Sequence, residues 1–280
     1  MLGWKSWRRR RVLAKAGLDE STWQRVAGRF SFVLRLDPDE ERRLRDLCIL
    51  FVHEKQISAA TGFTLTLEMK LAIAVQACIL ILQLGQGVNS LDHYDGWVEI
   101  IVYPGQFVPR HEIRGDDGVT QVDESSYAGQ AWLRGPVILS WEDVEYAGDL
   151  DGMNVVIHEF AHKLDMLNGE TNGFPPLHAD MNREAWAQAF TAALEDLRRR
   201  VEAGQRTDID PYAAESPAEF FAVLSEAFFE VPELVKEIYP RVYDQMRQFY
   251  RQDPASRELP REWRLRRVGA ARSDGRDRSI

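Results

Sequence analysis

Met153-Asn-Val-Val-Ile-His158-Glu159-Phe-Ala-His162-Lys-Leu-Asp165 is the stretch around which the rest of the chain arranges itself. Its apolar positions (Val155, Val156, Ile157, Phe160, Ala161 and Leu164) recur with helical spacing and predict a buried helix. On such a helix His158 and His162 stand one turn apart on one face, so both imidazoles reach a single metal ion. Glu159 follows the first histidine directly and suits a general base acting on water at that ion. Burying two imidazoles and a carboxylate without partners would be costly. A hydrogen-bonded pair of core histidines beside a surface glutamate is the plainer reading. The clustering of all three groups on one apolar segment favours a zinc hydrolase.

A catalytic zinc site takes three protein ligands and leaves a fourth position open. Asp165 lies about one turn beyond His162 and suits either a ligand or a group that orients one. Glu184 opens an amphipathic helix containing Trp186, Phe190, Leu194 and Leu197, a placement that resembles the thermolysin arrangement. Glu219 opens a second apolar helix with Phe220, Phe221, Val223, Leu224, Ala227 and Phe228, and Glu226 shares its face. Ser216-Pro217-Ala218-Glu219 also reads as a capping box, with serine at the N-cap and proline at the first helical position. That explains Glu219 without any metal. Spacing and chemistry leave Glu184 and Glu219 level.

Longer motifs carry a resemblance. His158-Glu-Phe-Ala-His-Lys-Leu-Asp165, Ile209-Asp-Pro-Tyr-Ala-Ala214 and Ser216-Pro-Ala-Glu-Phe-Phe-Ala-Val-Leu-Ser-Glu226 resemble the Mlc titration factor A (MtfA) family. So do Gly96-Trp-Val-Glu-Ile-Ile-Val-Tyr-Pro104, Gly135-Pro-Val-Ile-Leu-Ser-Trp141 and Phe249-Tyr-Arg-Gln-Asp-Pro254, and together they run from near residue 20 to near residue 255. The resemblance implies a zinc-dependent peptidase with aminopeptidase activity and a catalytic core similar to that of anthrax lethal factor. The implied fold is α+β: mainly helical and zincin-like, with a small mixed sheet and an active-site helix. The implied metal is one Zn2+ per chain on His158, His162 and Glu219, with Glu159 as base and Tyr212 as the counterpart of a catalytic tyrosine. Glu184 then becomes a surface acid, and Asp165 a group that orients His158 or His162. The family's founding member binds the glucose repressor Mlc, so the implied partners are a peptide substrate and an Mlc-like repressor. A regulator whose peptidase activity is secondary remains the alternative.

Composition sets the remaining bounds. With 280 residues, 45% of them hydrophobic, the chain can bury a large core. A net charge of −9 argues against general nucleic-acid binding. Cys48 and Cys78 make no disulfide framework and read as reduced core thiols, hence a cytoplasmic protein without a secretion signal. The most hydrophobic run, Leu71 to Leu84, is interrupted by Gln76 and Gln83 and reads as a core helix rather than a membrane span.

Residues 1–19, with Trp7-Arg-Arg-Arg-Arg11, read as a basic, solvated N-terminal tail. Residues 20–253 read as the metallopeptidase domain, helical over about 20–95 and catalytic over about 96–253. An amphipathic helix begins at Pro38 and runs through Leu44, Leu47 and Leu50. His53-Glu54 lacks a second histidine and is a decoy. Strands are expected over Trp97–Tyr103 and Val137–Leu139, with turns at Asp116-Asp117-Gly118 and Gly148–Gly152. Residues 254–280, rich in arginine, read as a disordered basic tail.

Overall fold

The computed structural model describes residues 2–97, 99–105, 135–148 and 151–260. Its first helix, α1 (Leu2–Lys15), is where a solvated tail was expected. Arg9 explains the difference. Its guanidinium is 1% exposed, donating to both carboxylate oxygens of Glu54 at 2.8 and 2.9 Å and to Asp92 at 2.7 Å. A planar fork matched by two carboxylates holds a basic helix that hydrophobicity alone would leave in solvent. Glu54, the acid of the decoy pair, thus has a structural role.

Two short helices follow, α2 (Glu20–Ala27) and α3 (Ser31–Leu34). Next comes α4 (Pro38–Glu54), opened by a reciprocal capping box between Asp37 and Glu40. A strand, β1 (Gln56–Ala59), leads to α5 (Leu67–Ile81). Every side chain of α5 from Leu71 to Ile81 is buried, which makes it the central helix, apolar on all sides. Gln76 is tolerated there because its amide donates to the Ala72 carbonyl at 2.9 Å. Cys48 on α4 and Cys78 on α5 are buried free thiols in contact. Burial pushes the Cys48 thiol well above its ordinary range, which makes it unreactive.

Strands β2 (Glu99–Tyr103) and β3 (Val137–Ser140) complete the described sheet in the order β1-β2-β3. Ile100 pairs with Ile57 on one side and Val137 on the other. Both described pairings are parallel, where a mixed sheet was expected. The strand β1 went unread because four residues with one buried side chain carry too little periodicity.

Ser140 ends β3 and caps α6 (Trp141–Tyr146) by accepting from Asp143 N–H. The C-terminal half follows with α7 (Val155–Asp165), α8 (Arg183–Glu202) and α9 (Pro217–Glu230). It ends with α10 (Pro232–Ile238) and α11 (Pro240–Tyr250). Three of these helices begin with proline, whose fixed φ suits the first helical position and whose missing N–H is not needed there.

Beyond α11 the chain stays packed as far as Leu259. Arg257 pairs with Glu40 at 2.6 and 2.8 Å, and Arg35 donates to the Pro254 and Arg257 carbonyls. A disordered tail starting at Pro254 is therefore corrected for residues 254–260. Residues 261–280 and the turn expected at Asp116-Asp117-Gly118 lie outside the described residues. Among the described residues no helix is long and apolar enough to cross a membrane.

Candidate metal centre

Helix α7 begins at Asn154, whose side chain accepts from Ile157 N–H at 3.0 Å and so satisfies one of the free donors of the first turn. Val156, Ile157, Phe160, Ala161 and Leu164 are buried, fixing the rotation of the helix. The opposite face carries His158 and His162 toward the start of α9. There Ser216 caps the helix, accepting from Glu219 N–H at 3.1 Å. The serine half of the expected capping box is present. The glutamate half is replaced: the Glu219 carboxylate turns to the two imidazoles.

Three ligand atoms converge. His158 Nε2 lies 3.2 Å from His162 Nε2 and 3.0 Å from Glu219 Oε2, and His162 Nε2 lies 3.3 Å from the same oxygen. Among the described residues this is the group of histidine, cysteine and acidic side chains spaced to hold a metal ion. A tetrahedral zinc with bonds of about 2.0–2.1 Å sets its ligand atoms about 3.3 Å apart. The triangle therefore fits such an ion. It also fits poorly without one, because two imidazole nitrogens and a carboxylate oxygen must share protons that cannot satisfy all three pairs.

The far side of His158 is held as well. Its Nδ1 lies 2.7 Å from Glu226 Oε1, and the other oxygen of Glu226 accepts from Asn154 N–H. Asn154 in turn donates from its amide to Glu230 at 2.8 Å. Burial opposes a charged His158, but its bonds to Glu219 and Glu226 outweigh that and push its pKa up to about 10. For Glu219 burial works in the opposite sense to its bonds with the two histidines. The bonds win and hold its carboxyl far below the ordinary range. A metal ion binding here competes with the proton on His158, so its affinity falls as pH falls.

Glu226 is the carboxylate beside His158 that the sequence reading underused. It was weighed as a ligand, whereas the orienting role was given to Asp165. Its position two turns after Glu219 on the same face was the available signal. Asp165 is fully buried and accepts from Gly173 N–H at 2.7 Å, tying α7 to the loop that leads into α8. Burial lifts its carboxyl to about 6. Gly173 is needed at that point: its φ is +72°, and a Cβ there would lie 2.2 Å from the Pro217 carbonyl at the start of α9. Glu184 is exposed and bonds Gln188, away from the centre.

Tyr212 sits on the 3-10 turn Pro211–Ala214, its ring centroid 6.1 Å from that of His158. Burial and the neighbouring charges of Glu219 and Glu215 push its hydroxyl up to about 12, so it stays a proton donor at neutral pH. Glu159, half-buried, lines the same cavity as His158 and Tyr212.

A family model described as glucose-regulated metallo-peptidase M90 matches residues 4–251. The chain belongs to this family. It is an M90 metallopeptidase, and the match includes the docked helix α1. Mlc titration factor A of Serratia proteamaculans (strain 568) is 38% identical over 225 residues, covering 79% of this chain and 84% of that protein. Mlc titration factor A of Klebsiella pneumoniae (strain 342) is 34% identical over 245 residues, or 87% of this chain and 90% of that protein. The protein of the same name from Salmonella gallinarum is 37% identical over 227 residues. M90 membership implies a metal, and the His158–His162–Glu219 triangle has the donor set and spacing for one.

Proposed function

We propose that this M90 chain is a zinc-dependent aminopeptidase with one zinc held by His158, His162 and Glu219. The convergence of three ligand atoms at 3.0–3.3 Å, with Glu159 on the next residue of the same helix, carries the reading. When bound, the ion supplies a Lewis acid and brings water to a pKa near ~7.

The protein's own groups do the rest. Glu159 accepts the proton of the attacking water and passes it to the leaving amine. Tyr212, protonated at neutral pH, donates a hydrogen bond to the oxyanion of the tetrahedral intermediate, a contribution of about 2.7–4 kcal/mol for such a donor. Glu226 fixes the tautomer and direction of His158 by holding its Nδ1. Asp165 keeps the loop around Gly173 against α7, so the start of α9, and Glu219 with it, stays in place.

A Glu159→Gln variant with full metal content tests the assignment: hydrolysis of short peptides is expected to vanish while the ion remains. Retained hydrolysis would remove Glu159 from the mechanism.

A second role rests on the relatives' name, Mlc titration factor A. In this reading the chain also binds an Mlc-like repressor in the cytoplasm, and peptidase activity is secondary. Glu159→Gln is expected to bind the repressor as wild type does. Loss of repressor binding at unchanged metal content would place both roles on one surface.

A further inference from the structure

Helix α1 has two faces. At 100° per residue, Lys5, Ser6, Arg9, Val12 and Leu13 share the side turned to the protein. Arg9 is buried between Glu54 and Asp92, Lys5 pairs with Asp92 and Asp95, and the Ser6 hydroxyl donates to Asn89 at 2.8 Å. Val12 and Leu13 pack, partly buried, against the core. Trp4, Trp7, Arg8, Arg11 and Lys15 fall on the opposite side, and all five are exposed. Arg10 is exposed at the edge of that side.

The outer face is unusual in both charge and polarity. Trp4 is 68% exposed, the most exposed large apolar side chain among the described residues, and Trp7 is 47% exposed. The helix contains no acidic residue. Among the described residues, none of Arg8, Arg10, Arg11 and Lys15 forms an ion pair. Arginines on other exposed surfaces do: Arg25 meets Glu68, Arg42 meets Asp39 and Arg247 meets Asp244. The Arg11 guanidinium stands 4.8 Å from the centroid of the Trp7 ring one turn back, so cation and indole form one unit.

An indole is costly to leave in water and is best placed where an apolar phase meets a polar one. Arginine beside it matches phosphate oxygens with a planar fork of donors. The headgroup layer of an anionic membrane supplies both at once, and it is broad enough for a convex helix surface. Acidic polypeptides and duplex nucleic acid would satisfy the arginines but offer the two indoles no apolar phase to enter. The chain's net charge of −9 does not cancel the local field of α1, because charges more than about 8 Å apart are largely screened at physiological ionic strength.

We propose that the outer face of α1 docks on anionic lipid, with Arg8, Arg10, Arg11 and Lys15 meeting headgroup phosphates and Trp4 and Trp7 entering the interface. The contact is peripheral and reversible, since one short helix face supplies both signals and nothing anchors the chain further. It stands independently of the peptidase reading.

The test is cosedimentation of the full chain with vesicles of phosphatidylcholine alone or with about 30% phosphatidylglycerol. Binding to the anionic vesicles is expected to be at least about tenfold tighter and to weaken with added salt. Arg8→Gln/Arg11→Gln should lower it about tenfold or more, and Trp4→Ala/Trp7→Ala should do the same. All four side chains are exposed, so thermal unfolding of both variants should match wild type.

Poly-glutamate and duplex DNA serve as polyanions without an apolar phase. Wild type that binds either of them and not the anionic vesicles would overturn the proposal and assign the face to that partner. Vesicle binding lost in the arginine variant but kept in the tryptophan variant would also overturn it, leaving only a cationic patch. So would equal binding to both vesicle types, or binding unchanged in both variants.

Discussion

On one face of α7, Phe160 sits among Phe51, Tyr94 and Trp97, with ring centroids 5.6, 5.0 and 5.3 Å away. On the other, His158 and His162 meet Glu219 and Glu226, two carboxylates from a single helix. The aromatic face is held by contact area, which tolerates a neutral change of similar size and suffers from a cavity. The polar face is held by charge and hydrogen bonds, where losing one partner strands the other in a buried setting. Stability and chemistry are therefore divided across the width of one helix, and substitutions on the two faces should separate them.

The sharpest separation is expected at Glu159, where Glu159→Gln should lower kcat by about 10²–10⁴-fold, the usual share of a general acid–base group. Thermal unfolding should stay where it is. On the aromatic face the signature reverses: Phe160→Ala should destabilise the fold by about 3–5 kcal/mol in denaturant titrations, with metal content per folded chain unchanged. A Phe160→Ala protein of normal stability that failed to hold metal would break the division between the faces.

Glu226 probes the polar face one layer back. Glu226→Ala should weaken metal binding about 10–100-fold in chelator competition, because His158 Nδ1 loses the partner that orients its ring. An unchanged affinity would make Glu226 a bystander.

Asp165 gives a pH signature. Its folded pKa is raised to about 6 from 3.8, so between those values the folded state binds more protons than the unfolded one. Stability from this group is complete below about pH 4 and is lost as pH rises toward 6, an effect of about 2–3 kcal/mol. The stability difference between metal-free wild type and Asp165→Asn should therefore shrink with rising pH across this window. A flat difference would show that Asp165 does not titrate there. The smallest effect is expected at Glu184, where Glu184→Ala should change stability by no more than about 0.5 kcal/mol and leave the metal alone.

The helix α7, its buried stripe and the two histidines were legible because all of these signals are local and periodic. The same holds for the start of α9, where Ser216-Pro217 announces itself, and for the core helix α5. Glu219 was not separable from Glu184 by local physics, since both open apolar helices after the motif. The family motif singled out Glu219, and the geometry brings Glu219 and not Glu184 to the histidines.

What stayed hidden depends on contacts between distant residues. Arg9 docks α1 through Glu54 and Asp92, and no window of sequence holds all three. The bond between Glu226 and His158 likewise joins two helices. Gly173 looked like any loop glycine until the Pro217 carbonyl stood against it.

The most direct test is elemental analysis of protein purified without chelator or histidine tag, wild type beside Glu219→Ala. About one zinc per wild-type chain, lost in Glu219→Ala, is the expected result. Zinc retained at full occupancy by Glu219→Ala, or a wild-type chain that holds no metal after zinc is added back, would contradict the three-ligand centre.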